Sequence, residues 1–172
     1  KILKERNTLL KKMAKNGSLL EDTLDVWDKQ LCAYGTKLAE ERKSFIENLN
    51  LKAEKIHGDI SANKESLKIE YKESVDYSNF YEKMVKNRDK DIFYGNTCVG
   101  IHKDDMVFYI NGNNARDYAS QGQQRTICLS LKMAEVELIN EKTGAYPVLL
   151  LDDVLSELDK NRQDYILKSI NN

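Results

Sequence analysis

Two adjacent carboxylates near the end of the chain are the residues best suited to chemistry. Asp152 and Asp153 follow a short apolar run, residues 148–151, which the only proline of the 172-residue sequence precedes. A run this short predicts a strand that is buried on both faces. Two carboxylates at the end of such a strand disfavour each other's ionisation, so a bound cation is expected there. The alternative is structural: the pair forms a turn that caps the following helix.

A second stretch, residues 120–126, is a candidate anion-binding site. Ser120 is a favourable N-cap residue, and Gly122 allows a ligand to approach the backbone closely. The first N–H groups of a helix have no acceptor within the helix and can bind an anion. The following segment is predicted to be such a helix because its apolar residues recur mostly at steps of three and four. These residues are Ile127, Leu131, Ala134, Leu138 and Ile139.

The order of these features carries a family resemblance. A Ser-x-Gly-Gln segment, a helix, an apolar strand, two aspartates and residues 156–159 follow one another as the signature motif, signature helix, Walker B motif and D-loop do in ABC-type ATPase heads. Within that superfamily, Ser120–Gln–Gly–Gln–Gln–Arg125 and residues 149–159 resemble the bacterial RecF family most. Residues 27–35 resemble its helical insertion domain, and residues 97–105 resemble a further motif in which Ile101 and Lys103 replace the usual Pro and Arg.

The resemblance implies roles for individual residues. Asp152 would hold Mg²⁺, and Asp153 would be the general base of ATP hydrolysis. Ser156 and Asp159 would lie at the interface between two heads. The signature residues would bind the γ-phosphate of ATP held by the opposite subunit; they are Ser120, Gln121, Gly122, Gln123 and Gln124.

The resemblance also implies a biological role. The intact protein would be a weak ATPase of the cytoplasm that forms an ATP-dependent homodimer on double-stranded, gapped DNA. It would help to load recombinase, with a RecR-type mediator as its partner, in DNA repair, recombination, replication and the SOS response. Two alternatives stay open: the head of another SMC-like DNA-repair ATPase, and a non-catalytic helical scaffold in which the Asp pair is only structural.

Composition limits other classes of function. The formal net charge is −1, so DNA binding would require a local basic patch rather than a basic protein. No apolar run is long enough to span a bilayer, which predicts no membrane association. Cys32, Cys98 and Cys128 are far apart and are predicted to be reduced thiols rather than a disulfide or a zinc site.

The sequence contains no Gly-x-x-x-x-Gly-Lys-Ser/Thr motif, which supplies most contacts to bound nucleotide. We therefore expect the chain to be part of a longer protein, with that loop in a preceding lobe, and to hydrolyse no ATP alone. The predicted fold is mixed, α+β or α/β. Residues 1–95 form a helical insertion domain, and residues 96–172 form the C-terminal lobe of an ABC-type P-loop ATPase head.

Hydrophobic periodicity predicts the remaining elements. Residues 1–15 form a helix whose basic residues, including Arg6, face solvent. Ser78 caps a helix over residues 79–88. Residues 67–72, 98–101 and 106–110 form strands, and residues 111–114 form a hairpin turn with a return strand through Tyr118. The longest helix covers residues 21–57, with a buried stripe of Leu24, Trp27, Leu31, Tyr34, Leu38, Phe45, Leu49 and Ile56.

Overall fold

The computed structural model describes residues 1–16, 21–150 and 163, which contain six α-helices, two 3₁₀ helices (Tyr77–Asn79 and Ile101–Lys103) and a small sheet. The helices are α1 (Ile2–Asn16), α2 (Glu21–Ile60), α3 (Phe80–Lys86), α4 (Arg88–Tyr94), α5 (Ala115–Tyr118) and α6 (Gln121–Thr143). The strands are β1 (Leu67–Lys72), β2 (Asp105–Ile110) and β3 (Asn113–Asn114), in the order β1-β2-β3. The mixed helix-and-sheet class predicted from the sequence is confirmed.

Two compact units make up the described chain. Residues 1–43 and 71–105 form the first, and residues 44–70 with the described residues from 106 onward form the second. The helix α2 and the strand β1 each contribute to both units. The boundary near residue 95 remains a prediction about domain organisation, and the compact units follow a different, discontinuous division.

The buried face of α2 differs from the predicted stripe. Leu24, Leu31, Leu49 and Ile56 are buried as expected, but Tyr34, Leu38 and Phe45 are exposed. The buried face instead includes small and polar residues: Asp28, Gly35, Ala39 and Ala53. A side chain at Gly35 would place its Cβ 2.9 Å from the ring of Phe80. Close packing against this ring therefore selects the face with glycine and alanine, although the neighbouring residues are more hydrophobic.

The first unit contains a buried ionic network that the sequence prediction missed. Arg6 was predicted to face solvent, and this is wrong because its side chain is fully buried. Its Nε donates to Asp28 Oδ1 at 2.6 Å, and its Nη1 donates to Asp91 Oδ2 at 2.7 Å and to Thr97 Oγ1 at 2.8 Å. The partners come from α2, α4 and the following loop, so they compensate a charge that the sequence of α1 alone places in water.

The predicted helix over residues 79–88 is confirmed as α3, and Asn87 separates it from α4, a second short helix that was not predicted. Of the predicted apolar side of this helix, Phe80 and Met84 are buried, but Val85 is exposed. Ser78 does not cap α3; it lies in a preceding 3₁₀ turn, where its own N–H donates to Asp76 Oδ1 at 2.9 Å. Asp76 is the N-cap of this 3₁₀ turn, so the helical region starts two residues earlier than predicted.

The alternating strand over residues 67–72 is confirmed as β1, and the strand over 106–110 is confirmed as β2. Residues 98–101 are not a strand. Side chains take the hydrogen-bonding groups that a strand would need, because Thr97 N–H donates to Asn7 Oδ1 and Cys98 N–H donates to Asp91 Oδ1. Gly100 then bends the chain, with φ of 117°.

The hairpin turn is confirmed, but its return strand is much shorter than predicted. Tyr109 pairs with Asn114 and Ile110 pairs with Asn113, which leaves Asn111 and Gly112 as a two-residue turn. Both have positive φ, 50° and 80°, as a type I′ turn requires. The return strand ends at Asn114, whose side chain accepts from the N–H of Arg116 at 2.9 Å and so caps α5.

Candidate functional site

The candidate anion site lies at the N-terminus of α6, in the second unit. Ser120 is the N-cap, as predicted, and the N–H of Gln123 donates to its Oγ at 3.2 Å. The side chain of Gln123 returns the contact, because its Oε1 accepts from the N–H of Ser120 at 2.9 Å. This reciprocal pair is a capping box, which the spacing Ser-x-x-Gln could have predicted. It fixes the first turn of α6 and satisfies the N–H groups of Ser120 and Gln123.

The other predicted signature residues surround this cap. Gln121 is exposed, and Gly122 is half-buried. The carbonyl of Gly122 accepts from the Thr126 hydroxyl at 2.8 Å. The side chain of Gln124 donates to the carbonyl of Ala119 at 3.1 Å, so it folds back over the N-terminus of α6. The structure thus brings the residues of the signature segment together around one helix end.

A chain of side-chain contacts leads inward from this helix end. Gln123 Nε2 donates to Glu65 Oε1 at 3.1 Å, and Glu65 Oε2 lies 3.2 Å from His57 Nε2. The other ring nitrogen, His57 Nδ1, lies 3.2 Å from Ser130 Oγ, which donates to the carbonyl of Thr126 at 2.8 Å. His57 and Ser130 are fully buried. No local pattern in the sequence predicts this chain, since its members are up to 73 residues apart.

The remaining predicted site residues lie outside the described part of the chain. These are Asp152, Asp153, Ser156 and Asp159, so their roles stay predictions. No group of three His, Cys, Asp or Glu side chains within residues 1–16 and 21–150 could hold a metal ion. The Mg²⁺ prediction therefore depends on the aspartate pair and is not tested by the described residues.

The strand predicted for residues 148–151 is not formed in residues 148–150, the part that the structure describes. Residues 145–150 have no regular secondary structure, and Val148 and Leu150 are 89% and 87% exposed. A strand is stable when neighbouring strands satisfy its N–H and C=O groups. The only sheet within the described residues consists of β1, β2 and β3, and residues 145–150 are not part of it.

The motif of residues 97–105 has a structural role in the first unit. Asp104 accepts hydrogen bonds from the hydroxyls of Tyr71 and Tyr77 and from the N–H of Ser74. Burial acts to raise the pKa of Asp104, but these hydrogen bonds outweigh burial and hold the pKa below its usual range. Burial and the nearby carboxylate raise the pKa of Tyr71 to about 12. His102 Nε2 lies 2.9 Å from the carbonyl of Thr97, which closes the motif on itself.

Comparison with solved structures shows which known proteins share this fold. No protein-family model matches the chain. A solved structure described as the recombination mediator protein RecF-ATP in the RecFOR pathway covers 98% of the chain with a TM-score of 0.88 and 39% identity. A second, described as RecF-ATPrS in the same pathway, gives a TM-score of 0.85 and 40% identity. The fold is therefore that of part of an ABC-type ATPase head, as the motifs predicted.

Curated relatives show which proteins the chain is similar to. The chain is 50% identical over 170 residues to the DNA replication and repair protein RecF of Lachnoclostridium phytofermentans, covering 99% of the chain and 47% of that protein. The RecF of Lactococcus lactis subsp. cremoris is 48% identical over 161 residues, covering 94% of the chain and 44% of that protein. The chain is thus related to RecF, which confirms the resemblance, and it spans about half the length of the curated relatives it matches. None of the described helices is both long and apolar enough to cross a membrane.

Proposed function

We propose that this chain is part of a longer RecF-type protein, which we call the full-length protein, and that the N-terminus of α6 receives the γ-phosphate of ATP bound to a second copy. One observation carries the proposal: a capping box fixes the first turn of α6 within the RecF-like segment Ser120–Gln–Gly–Gln–Gln–Arg125. A fixed helix N-terminus combines aligned peptide dipoles with N–H donors, which is the arrangement that binds phosphate. The similar solved structure is described as RecF-ATP, which supports ATP as the ligand.

The predicted carboxylates complete this proposal. Mg²⁺ bound at Asp152 would neutralise charge that develops on the phosphate oxygens. Asp153 would accept the proton of the attacking water, and Ser156 and Asp159 would contact the second copy. The loop that cradles phosphate would come from the part of the full-length protein that this chain does not cover, since the chain spans about half of its relatives.

The biological proposal follows from the names of the relatives. A DNA replication and repair protein of the RecFOR pathway would act on double-stranded, gapped DNA, form an ATP-dependent homodimer there and help to load recombinase. A RecR-type mediator would be its partner, and the cytoplasm its location. Weak ATPase activity would then control how long the dimer persists.

Substitutions of Ser120 test the role of α6, because stability and phosphate binding can be separated there. Ser120→Asp keeps an N-cap acceptor but places a negative charge where the phosphate would approach. Ser120→Ala loses the cap, at a cost of about 1 kcal/mol, but adds no charge. We expect Ser120→Asp to be as stable as wild type and to form no dimer. Ser120→Ala should be less stable and should dimerise at a higher protein concentration than wild type, because the capping box no longer fixes the first turn of α6.

The measurement is light scattering of the full-length protein with and without a slowly hydrolysed ATP analogue. Analogue binding to each monomer is measured separately, and it should survive in both variants because the phosphate-cradling loop is unchanged. If Ser120→Asp dimerises with the analogue as well as wild type does, α6 does not receive the γ-phosphate.

A further inference from the structure

We propose that Glu65 and His57 are positioning residues for the signature helix: they hold Gln123 in the capping box, so that the α2–β1 loop sets the geometry of the phosphate site. The inference rests on the proposed function of α6. It extends that function to two residues that lie outside the signature segment and that no motif assigns.

Gln123 is held at both ends of its side-chain amide. The oxygen accepts from the N–H of Ser120 at 2.9 Å, and the nitrogen donates to Glu65 at 3.1 Å. The two contacts together leave one orientation for the amide, because exchanging its oxygen and nitrogen would turn both hydrogen bonds into repulsive contacts. Glu65 therefore selects the orientation of Gln123 that closes the cap on Ser120.

Glu65 is in turn held by His57. The single hydrogen of the Ser130 hydroxyl is donated to the Thr126 carbonyl, so Ser130 Oγ accepts from His57 Nδ1–H. A hydrogen bond between His57 Nε2 and Glu65 then requires one proton shared between the ring nitrogen and the carboxylate. Because His57 is fully buried in the last turn of α2, its ring is fixed in place and can fix the carboxylate.

The backbone of the α2–β1 loop also restricts Glu65. The N–H of Glu65 donates to the hydroxyl of Ser61 at 3.3 Å. The N–H of Asn63 donates to the carbonyl of Gly58 at 2.7 Å, across a turn in which Ala62 and Asn63 both have positive φ. A loop closed by its own hydrogen bonds presents Glu65 at a defined position. The phosphate site at α6 is therefore built on the end of α2 as well as on the signature segment.

The test is a set of variants of the full-length protein, measured by the protein concentration at which an ATP analogue gives half-maximal dimer. Glu65→Ala removes the contact that orients Gln123, and we expect about a tenfold higher concentration, as for the loss of one hydrogen bond to a charged group. Glu65→Gln should stay close to wild type, because its oxygen can accept from Gln123 while its amide nitrogen donates to unprotonated His57 Nε2. If only the negative charge of Glu65 matters, Glu65→Gln should instead lose dimerisation as Glu65→Ala does.

A double-variant cycle shows whether Glu65 acts through Gln123. If it does, Glu65→Ala adds no further loss when Gln123→Ala is already present. Glu47→Ala, which removes an exposed glutamate of α2, is the matched control and should equal wild type. If Glu65→Ala folds poorly, Gln123→Ala provides the test instead, because it removes the other partner of the same hydrogen bond. It must then by itself raise the concentration for half-maximal dimer at least tenfold.

The outcomes separate this inference from the proposed function. Wild type that binds the analogue but never dimerises overturns the proposed function, and the inference with it. Wild type that dimerises while Glu65→Ala dimerises equally well overturns the inference alone, as do independent, multiplying losses in the double variant.

Discussion

The buried network around Arg6 makes a quantitative prediction about stability. Arg6→Met keeps the length and apolar character of the side chain but removes three hydrogen bonds, two of them to the fully buried carboxylates of Asp28 and Asp91. Removing one partner of a buried ion pair costs about 3–5 kcal/mol, because the other charge stays buried without compensation. We therefore expect a loss in free energy of unfolding within this range.

The structure favours the lower end of the range. Asp28 keeps the hydrogen bond from Arg88 Nε at 2.8 Å, and Asp91 keeps the one from the N–H of Cys98 at 2.8 Å. In addition, Arg6 Nη2 is buried without an acceptor among the described residues, so the wild-type network is itself incompletely satisfied. A loss of about 3 kcal/mol corresponds to a fall of roughly 6–12 °C in Tm for a chain of this size.

Urea and thermal unfolding, followed by circular dichroism and by Trp27 fluorescence, provide the assay. Lys29→Met is the matched control, because it breaks a solvent-screened ion pair with Asp25 and should cost much less than Arg6→Met. Arg6→Met combined with Asp91→Asn should recover part of the loss, since it removes an uncompensated charge. If Arg6→Met costs no more than Lys29→Met, the buried charges do not depend on Arg6 and the reasoning fails.

Two further predictions concern pH and hydrolysis. The pKa of Tyr71 is raised from 10.0 to about 12, and that of Tyr77 is also raised, so the folded state keeps protons that the unfolded state loses. The free energy of unfolding should therefore fall as the pH rises from about 10 to 12; urea unfolding across this window should show a smaller fall in Tyr71→Phe, and an equal fall would contradict the assignment. In the full-length protein, Asp153→Asn removes the proposed proton acceptor at nearly constant size, so phosphate release should fall about 10²–10⁴-fold while nucleotide binding persists. Near-normal turnover would place the general base elsewhere.

Local signals in the sequence predicted the elements whose cause is local. The alternation in residues 67–72 predicted β1, and Ser120 at the start of a 3.6-residue apolar period predicted the N-cap of α6. The turn at Asn111–Gly112 follows from the positive φ that these two residue types accept. The order of the motifs also identified RecF as the related protein, since it reflects residue types and spacing along the chain.

Contacts between distant segments decided the rest. Arg6 donates a hydrogen bond to Asp91, 85 residues away, and Gln123 donates one to Glu65, 58 residues away. Neither pairing can be predicted from the periodicity of the sequence. The face of α2 that is buried depends on the space beside Phe80, where glycine fits and a larger residue does not. Local periodicity reports which residues share a face of a helix or strand. Only the tertiary structure decides which face is covered and which buried charge finds its partner, because those outcomes depend on atoms that other parts of the chain supply.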